Sequence, residues 1–370
     1  MKAVVKINRT SGPPGTEIRD VETPRPREGE VLIRVAAAGI CGTDRHIYQW
    51  NASIQQSVRP PLIYGHEFCG FVENFGPNTP SRDFHVGDYV SAEAHRTCGE
   101  CAQCRGGVPH QCVRTYIMGL HVDGAFAEFV AVPIETMIAL PLTIPPRVAA
   151  FLDALGTVVH VTELTELLGK SVLITGLGPM GAMAATIAHA AGARRIIVAD
   201  NALNMLEPAL TWARNSGASA FHPINVRGLP FDEISRCIHA LERDGVDVVI
   251  DVSGAASAIN VGLDAIRMGG EMMVLGFPAG HAVEIQDYTR NVIFKGVRIR
   301  AVLGRRIFST WEKMLGLLQH GLDVEWITPT VFQGLETFHD AVAAFADHTI
   351  LKPVIFPESE AAVFDRLASS

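Results

Sequence analysis

The sequence predicts a two-part α/β chain in which a β-rich first half precedes a doubly wound parallel domain. Three observations carry that reading. Up to about residue 150, short strand-like runs are punctuated by Gly- and Pro-containing turns; from about residue 165, apolar strands alternate with helices; and 370 residues exceed what one ordinary core accommodates. With 48% apolar and 19% charged residues, the composition is that of a globular chain.

The elements follow in order. EVLIRVAA, FCGFVENF, DYVSAEA and FAEFVAV are the strand-like runs of the first half. KSVLITG then reads as a strand, PMGAMAATIAHAAG as a helix, RRIIVAD as a strand and MLEPALTWARNSG as a helix, and the series continues through VDVVIDVSG and EMMVLGF. Strands alternating with helices of this length imply βαβ units and a parallel sheet covered on both faces. Near residue 297 the alternation breaks: TWEKMLGLLQHGL and ETFHDAVAAFAD read as helices, KPVIF as a last strand, and ESEAAVFDRLASS as a partly frayed end. The expected organisation is a first domain of residues 1–154 to which 298–370 return, around a doubly wound domain of 155–297. There is no internal repeat.

A net charge of −8 argues against nucleic acid or an anionic membrane as the main partner, because both reward clustered Lys and Arg. A small molecule becomes the expected ligand. No apolar run approaches a membrane span, and MKAVVKINRT lacks the h-region of a signal peptide, so a cytoplasmic location is expected. Thiols stay reduced there, and closely spaced cysteines then read as metal ligands rather than disulfides.

GLGPMG comprises Gly176, Gly178, Pro179, Met180 and Gly181 around Leu177, directly after an apolar strand and at the start of a helix. In that context Gly176 permits a tight turn, Gly178 lets the backbone approach a pyrophosphate, and Gly181 lets helix and strand pack closely. The helix N-terminus adds free N–H groups and the positive end of its dipole. Asp200 ends the next strand, where a carboxylate accepts from a ribose 2′-hydroxyl and repels a 2′-phosphate, favouring NAD over NADP.

Cys98, Cys101, Cys104 and Cys112 give C-x2-C-x2-C-x7-C. Four thiolates complete a tetrahedral zinc shell with no open position, which makes the site structural. An iron–sulfur cluster is the competing metal reading, and a partner-gripping finger the other. Chemistry then has to lie elsewhere, and ICGTDRHIYQW with YGHEFCG is the candidate. Cys41 and His66 can hold a zinc while Glu67 or a water completes the shell, leaving room for an alcohol oxygen whose pKa the metal lowers. Thr43 and His46 follow Cys41 at +2 and +5, a hydroxyl and an imidazole able to relay the alcohol proton. Cys69 and Cys237 read as core packing, and His95, His110, His121 and His160 as structural.

The order of ICGTD, GHE, four-cysteine loop, strand and GLGPMG resembles the zinc-dependent medium-chain alcohol dehydrogenases over nearly the whole chain. Within that family, CGTDRHIYQWN, RPPLIYGHE, EAHRTCGECAQCRGG and GRRIFSTWEKM are most similar to the branch that oxidises the 3-hydroxyl of L-threonine. The resemblance implies a GroES-like catalytic domain built from both chain ends, an inserted Rossmann domain for NAD, two zinc ions per chain, an active site in the cleft and a homotetramer. It implies Cys41, His66 and Glu67 as ligands of a catalytic zinc and Thr43 with His46 as the relay. It also implies Asp153 as an acid assisting the metal-bound water, Leu275, Gly276, Phe277, Val302 and Leu303 along the nicotinamide half, and Met180 at the helix start.

The chain departs from the family pattern at four places. Met205 stands where a basic residue usually contacts the adenosine ribose, Ala154 where threonine dehydrogenases carry Pro, Gly156-Thr157 where they carry Gly-Asn, and Ser53 where a second Trp is common. The last three fall near the expected substrate pocket, which leaves another amino alcohol or a polyol as the alternative substrate.

Overall fold

The structure is a computed structural model describing residues 1–278 and 282–369. It comprises two compact units, one of Met1–Ala154, Arg306–Gly321 and Thr328–Ser370, the other of Leu155–Arg305 and Leu322–Ile327.

In the first unit a sheet runs in the order Met137–Ala139, Tyr89–Ala92, Glu67–Phe75, Glu30–Gly39, Val354–Phe356 and Val331–Gln333, with Phe129–Pro133 also paired to Glu30–Gly39. The Glu30–Gly39 strand is its organiser. Gly39 lies opposite both Glu67 and Val354, so this strand ties the two ends of the chain together. Val31, Ile33 and Val35 are at most 1% exposed, as expected of a strand covered on the face they share, and past an irregularity between Val35 and Ala37 it is Ala38 that joins them in one core cluster.

The second unit holds six parallel strands in the order Phe221–Asn225, Arg195–Asp200, Ser171–Thr175, Val246–Asp251, Ile266–Val274 and Arg298–Ala301. Runs such as Val172–Ile174 and Val248–Ile250 are buried on both faces, which explains why they read as continuous apolar stretches rather than alternating ones. The strand order reverses direction between Ser171–Thr175 and Val246–Asp251, the place where open parallel sheets form a crevice at their carboxyl ends.

Two expectations need correction. The chain returns to the first unit at Arg306 rather than 298, because Arg298–Ala301 pairs with Glu271–Val274 and closes the edge of the parallel sheet. As an edge strand with every residue exposed, RIRA carries no apolar run that would reveal it. Within the final ESEAAVFDRLASS, the described residues Glu360–Ser369 form an α-helix with Val363 fully buried rather than a partly frayed end, and Ser370 lies outside the described residues. Arg147 pairs with Glu360 at the start of that segment, and Arg366 pairs back to Glu358 within it.

Candidate active site

Cys41 is the N-cap of the Gly42–Gln49 helix. Its sulfur accepts from the backbone N–H of Asp44 while Asp44 Oδ2 accepts from the backbone N–H of Cys41 at 2.8 Å, a reciprocal box that fixes the thiol at the positive end of the helix. His66 and Glu67 arrive at the start of the Glu67–Phe75 strand and are 6% and 1% exposed. The ligand atoms of Cys41, His66 and Glu67 lie within 4.8 Å of one another, and Glu67 Oε1 is buried with no hydrogen-bond partner among the described residues. A thiol, an imidazole and a carboxylate gathered in this way fit a zinc ion.

Behind this set lies a buried layer that the motifs do not announce. Asp44 Oδ1 is 3.6 Å from His66 Nδ1, and burial pushes the Asp44 carboxyl up to about 6, with His66 pulling the other way. Burial opposes charge on the His66 ring, but Asp44, Cys41 and Asp153 outweigh it and raise the ring well above the usual imidazole value. Lys352, 2% exposed, ion-pairs with Glu67 and donates to the Ile40 carbonyl at 2.9 Å. A Cβ at residue 39 would fall 2.7 Å from Glu67 Oε2 and 3.2 Å from Lys352 Cε, so Gly39 is what lets this pair sit against the sheet.

Thr43 and His46 occupy successive turns of the Gly42–Gln49 helix, three residues apart and so on one side of it. Burial and the neighbouring Arg45 both lower the His46 ring below the usual imidazole value. Asp153 joins a trio that sequence reading missed: single ligand atoms of Glu93, His95 and Asp153 lie within 4.8 Å of one another. Glu93 Oε1 accepts from His95 Nδ1 at 2.9 Å and from the His95 backbone N–H at 2.9 Å, while Oε2 accepts from the Trp311 indole at 2.8 Å. His95, expected to be merely structural, thus belongs to a polar cluster whose Asp153 also acts on His66. The Glu-x-His spacing along one extended segment was the available signal.

The four-cysteine segment gathers its sulfurs tightly. The Sγ–Sγ separations are 3.4 Å for Cys101–Cys104, 3.5 Å for Cys98–Cys112, 3.8 Å for Cys101–Cys112 and 4.0 Å for Cys98–Cys104. A zinc–thiolate tetrahedron with bonds of about 2.3 Å has edges of about 3.8 Å. The cysteines are unpaired as disulfides. Backbone N–H groups of Glu100 and Cys101 bring the Cys98 thiol down to about 6, towards the thiolate that a metal requires.

In the second unit Gly176 has φ +104° and Gly178 is the N-cap of the Pro179–Ala190 helix, with Met180 in its first turn. A Cβ on Gly181 would lie 2.0 Å from the Gly176 carbonyl oxygen, whereas one on Gly178 meets nothing within 4 Å. The loop is therefore closed behind by Gly181 and open in front at Gly178. Asp200 Oδ2 accepts from the Leu177 backbone N–H at 2.6 Å and Oδ1 from that of Ala202 at 2.5 Å, fastening the acid to the glycine loop. Leu275 and Gly276 follow the Ile266–Val274 strand, both donating their backbone N–H to the Asp251 carbonyl, and Val302 follows the edge strand. Leu275 and Val302 are buried, but Phe277 and Leu303 are 82% and 54% exposed, so the five expected nicotinamide-side residues do not present one kind of surface. Met205 is 3% exposed and packs inward rather than standing where a basic residue would reach a ribose.

Curated relatives match this chain along most of their length. An L-threonine 3-dehydrogenase of Pyrococcus furiosus is 37% identical over 342 residues, covering 91% of this chain and 94% of the relative. One from Shewanella frigidimarina is 38% identical over 326 residues, covering 88% and 90%. Family profiles described as "Alcohol dehydrogenase GroES-like domain" and "Zinc-binding dehydrogenase" match residues 27–142 and 179–320. This chain belongs to the medium-chain, zinc-dependent alcohol dehydrogenase family.

Solved structures of that family superpose over the same extent. A zinc-binding dehydrogenase from Sinorhizobium meliloti bound to NADP is 27% identical with a TM-score of 0.82, covering 96% of this chain and 99% of its own. The alcohol dehydrogenase TADH from Thermus sp. ATN1 is 27% identical with a TM-score of 0.81 and the same coverage. As a member of this family the chain is an oxidoreductase of alcohols, and no helix among its described residues is long and apolar enough to cross a membrane.

Proposed function

We propose that this dehydrogenase oxidises the 3-hydroxyl of L-threonine to 2-amino-3-oxobutanoate, with hydride passing to NAD. The observation that carries the reading is the Cys41–His66–Glu67 set, whose His66 is acted on by Asp153 of the Glu93–His95–Asp153 trio. Zinc held by Cys41, His66 and Glu67 supplies a Lewis acid for the alcohol oxygen. The chain's own side chains do the rest. Thr43 takes the hydroxyl proton into its hydrogen bonds and His46, half-buried one turn further on, passes it towards water. The trio's two carboxylates suit the ammonium group of an amino alcohol.

NAD, as the hydride acceptor, is assigned to the glycine loop of the second unit. Each Asp200 oxygen accepts one backbone N–H and retains a lone pair for a ribose hydroxyl, while the buried, uncharged Met205 offers nothing to attract a 2′-phosphate. A second zinc is assigned to Cys98, Cys101, Cys104 and Cys112 as a structural ion. The working assembly is a cytoplasmic homotetramer, supported by the wholly exposed edge strand Arg298–Ala301 and by exposed Ile293, Phe294 and Leu303. A second reading, NAD-dependent oxidation of another amino alcohol or a polyol, is favoured by Ala154, Thr157 and Ser53, where threonine dehydrogenases usually carry Pro, Asn and Trp.

A panel of L-threonine, its stereoisomers, amino alcohols and polyols, each with NAD and NADP, separates the two readings by the absorbance of reduced cofactor. L-Threonine with NAD is expected to give the highest kcat/KM; a tenfold preference for another alcohol would replace it. Elemental analysis is expected to return two zinc ions per chain, and one or none would end the two-site assignment. Light scattering that finds a monomer would end the tetramer.

A further inference from the structure

The end of the Gly42–Gln49 helix contains a contact that the relay reading leaves unexplained. Trp50 adopts a left-handed conformation at φ 53°, which turns the chain so that Asn51 folds back over the helix. Asn51 then meets His46 twice: its backbone N–H donates to the His46 carbonyl at 3.0 Å, and its side-chain Nδ2 lies 2.7 Å from His46 Nδ1. The same Nδ2 also donates to Gln49 Oε1 at 3.4 Å, so both amide hydrogens have acceptors in this orientation.

We infer that Asn51 is a positioning residue that sets which nitrogen of His46 carries the proton, holding Nδ1 as an acceptor and leaving the neutral ring protonated on Nε2. The inference rests on the reading of His46 as the outer end of the proton relay. Its physical content is steric and electrostatic. An imidazolium has N–H at both nitrogens, and Nδ1–H facing an amide NH2 would set two donors against each other at 2.7 Å. For the ring to take up a proton, the Asn51 amide has to turn over, present Oδ1 and give up its contact with Gln49. The Asn51 amide is therefore a gate on proton uptake by His46. Two other influences act in the same direction, burial of the ring and the charge of Arg45, while Asp44, on the same helix, faces Cys41 and His66 instead.

Asn51→Asp tests this with almost no change of shape, since a carboxylate only accepts and thus favours Nδ1–H. The measurement is the pH dependence of hydrogen–deuterium exchange at the His46 ring carbon C2, read by peptide mass spectrometry on the zinc-loaded full chain, which gives the ring's pKa without reference to turnover. Wild type is expected to titrate below the ordinary imidazole value, Asn51→Asp about one unit or more above wild type, and Asn51→Ala between them. The acid limb of the kcat profile with L-threonine, or with the best alcohol of the panel, should move upward by the same amount as the Asn51→Asp ring. At the pH where wild type is half-active, one unit leaves the variant at roughly a tenth of its own plateau. An unchanged or lowered His46 pKa in Asn51→Asp would overturn the assignment whatever the enzyme's activity. A raised pKa with an unmoved acid limb would uphold the Asn51–His46 pairing and remove His46 from the relay, so the two failures are distinguishable.

Discussion

Cys98, Cys101, Cys104 and Cys112 come from fifteen consecutive positions, and their sulfurs meet through a short stretch of loop and turn, with backbone N–H groups of Cys98, Cys101 and, just beyond it, Arg114 donating to them. Cys41, His66 and Glu67 meet only because a helix start and a strand start converge, and the site needs Lys352 from the far end of the chain and Gly39 between them. The first centre is local, self-sufficient and partly exposed except at Cys112; the second is non-local, buried at His66 and Glu67, and leans on its neighbours. The contrast teaches that saturation and burial separate the two roles: a full thiolate shell leaves no place for substrate, and a sparse shell in a buried polar layer does.

Substitutions should divide along that line. The largest effect on turnover is expected from Cys41→Ser, about 10³-fold or more in kcat/KM, because the Lewis acid contributes several kcal/mol to the transition state. Its melting temperature should stay close to that of wild type; if activity falls less than tenfold, the assignment of the two centres is reversed or wrong. Next comes Lys352→Met, which strands a buried carboxylate. The metal-free protein should lose about 3–5 kcal/mol in denaturant titration, with a smaller deficit once zinc supplies the missing positive charge. Equal losses with and without zinc would show that the Lys352–Glu67 pair has nothing to do with the metal. Asp44→Asn keeps the shape and removes the charge facing His66, and zinc affinity measured against a competing chelator should weaken about 10–100-fold. Unaltered affinity would detach Asp44 from the centre. The smallest effect on turnover belongs to Cys101→Ser, with kcat per folded molecule within about twofold of wild type while the melting temperature drops by roughly 5–10 °C and one zinc is lost. A collapse of kcat at unchanged stability would give the four-cysteine lobe the role assigned to Cys41.

Local chemistry was the legible part. GLGPMG with Asp200, the four-cysteine spacing and the Cys41, Thr43 and His46 set are short-range patterns, and the strands of the second unit announce themselves because burial on both faces makes them apolar throughout. What escaped reading is what distance or exposure hides. Arg298–Ala301 lies at a sheet edge, so nothing forces its residues to be apolar. Lys352 looks like any lysine until the Val354–Phe356 strand carries it beside Glu67. Trp311 lies in TWEKMLGLLQHGL, legible only as a helix, and nothing local announces that its indole donates to Glu93, 218 residues away. The final helix was missed because its apolar side is sparse and ion pairs with Arg147 and within its own segment help to hold it.

The pairing of Gly39 with Val354 also sets an order of events during synthesis. Cys41, His66, Glu67 and the whole four-cysteine lobe leave the ribosome long before Lys352 exists. At about 5–20 residues per second the interval from Glu67 to Lys352 is roughly 15–60 s. Through that time the emerging chain offers a carboxylate, an imidazole and a thiol without the strand and the lysine that bury and balance them. A metal captured early would be held by an open, solvent-filled half-site; one captured after Val354–Phe356 docks enters a centre whose counter-charge is already in place. The two ends of the chain thereby act as a clasp that closes on the metal site last.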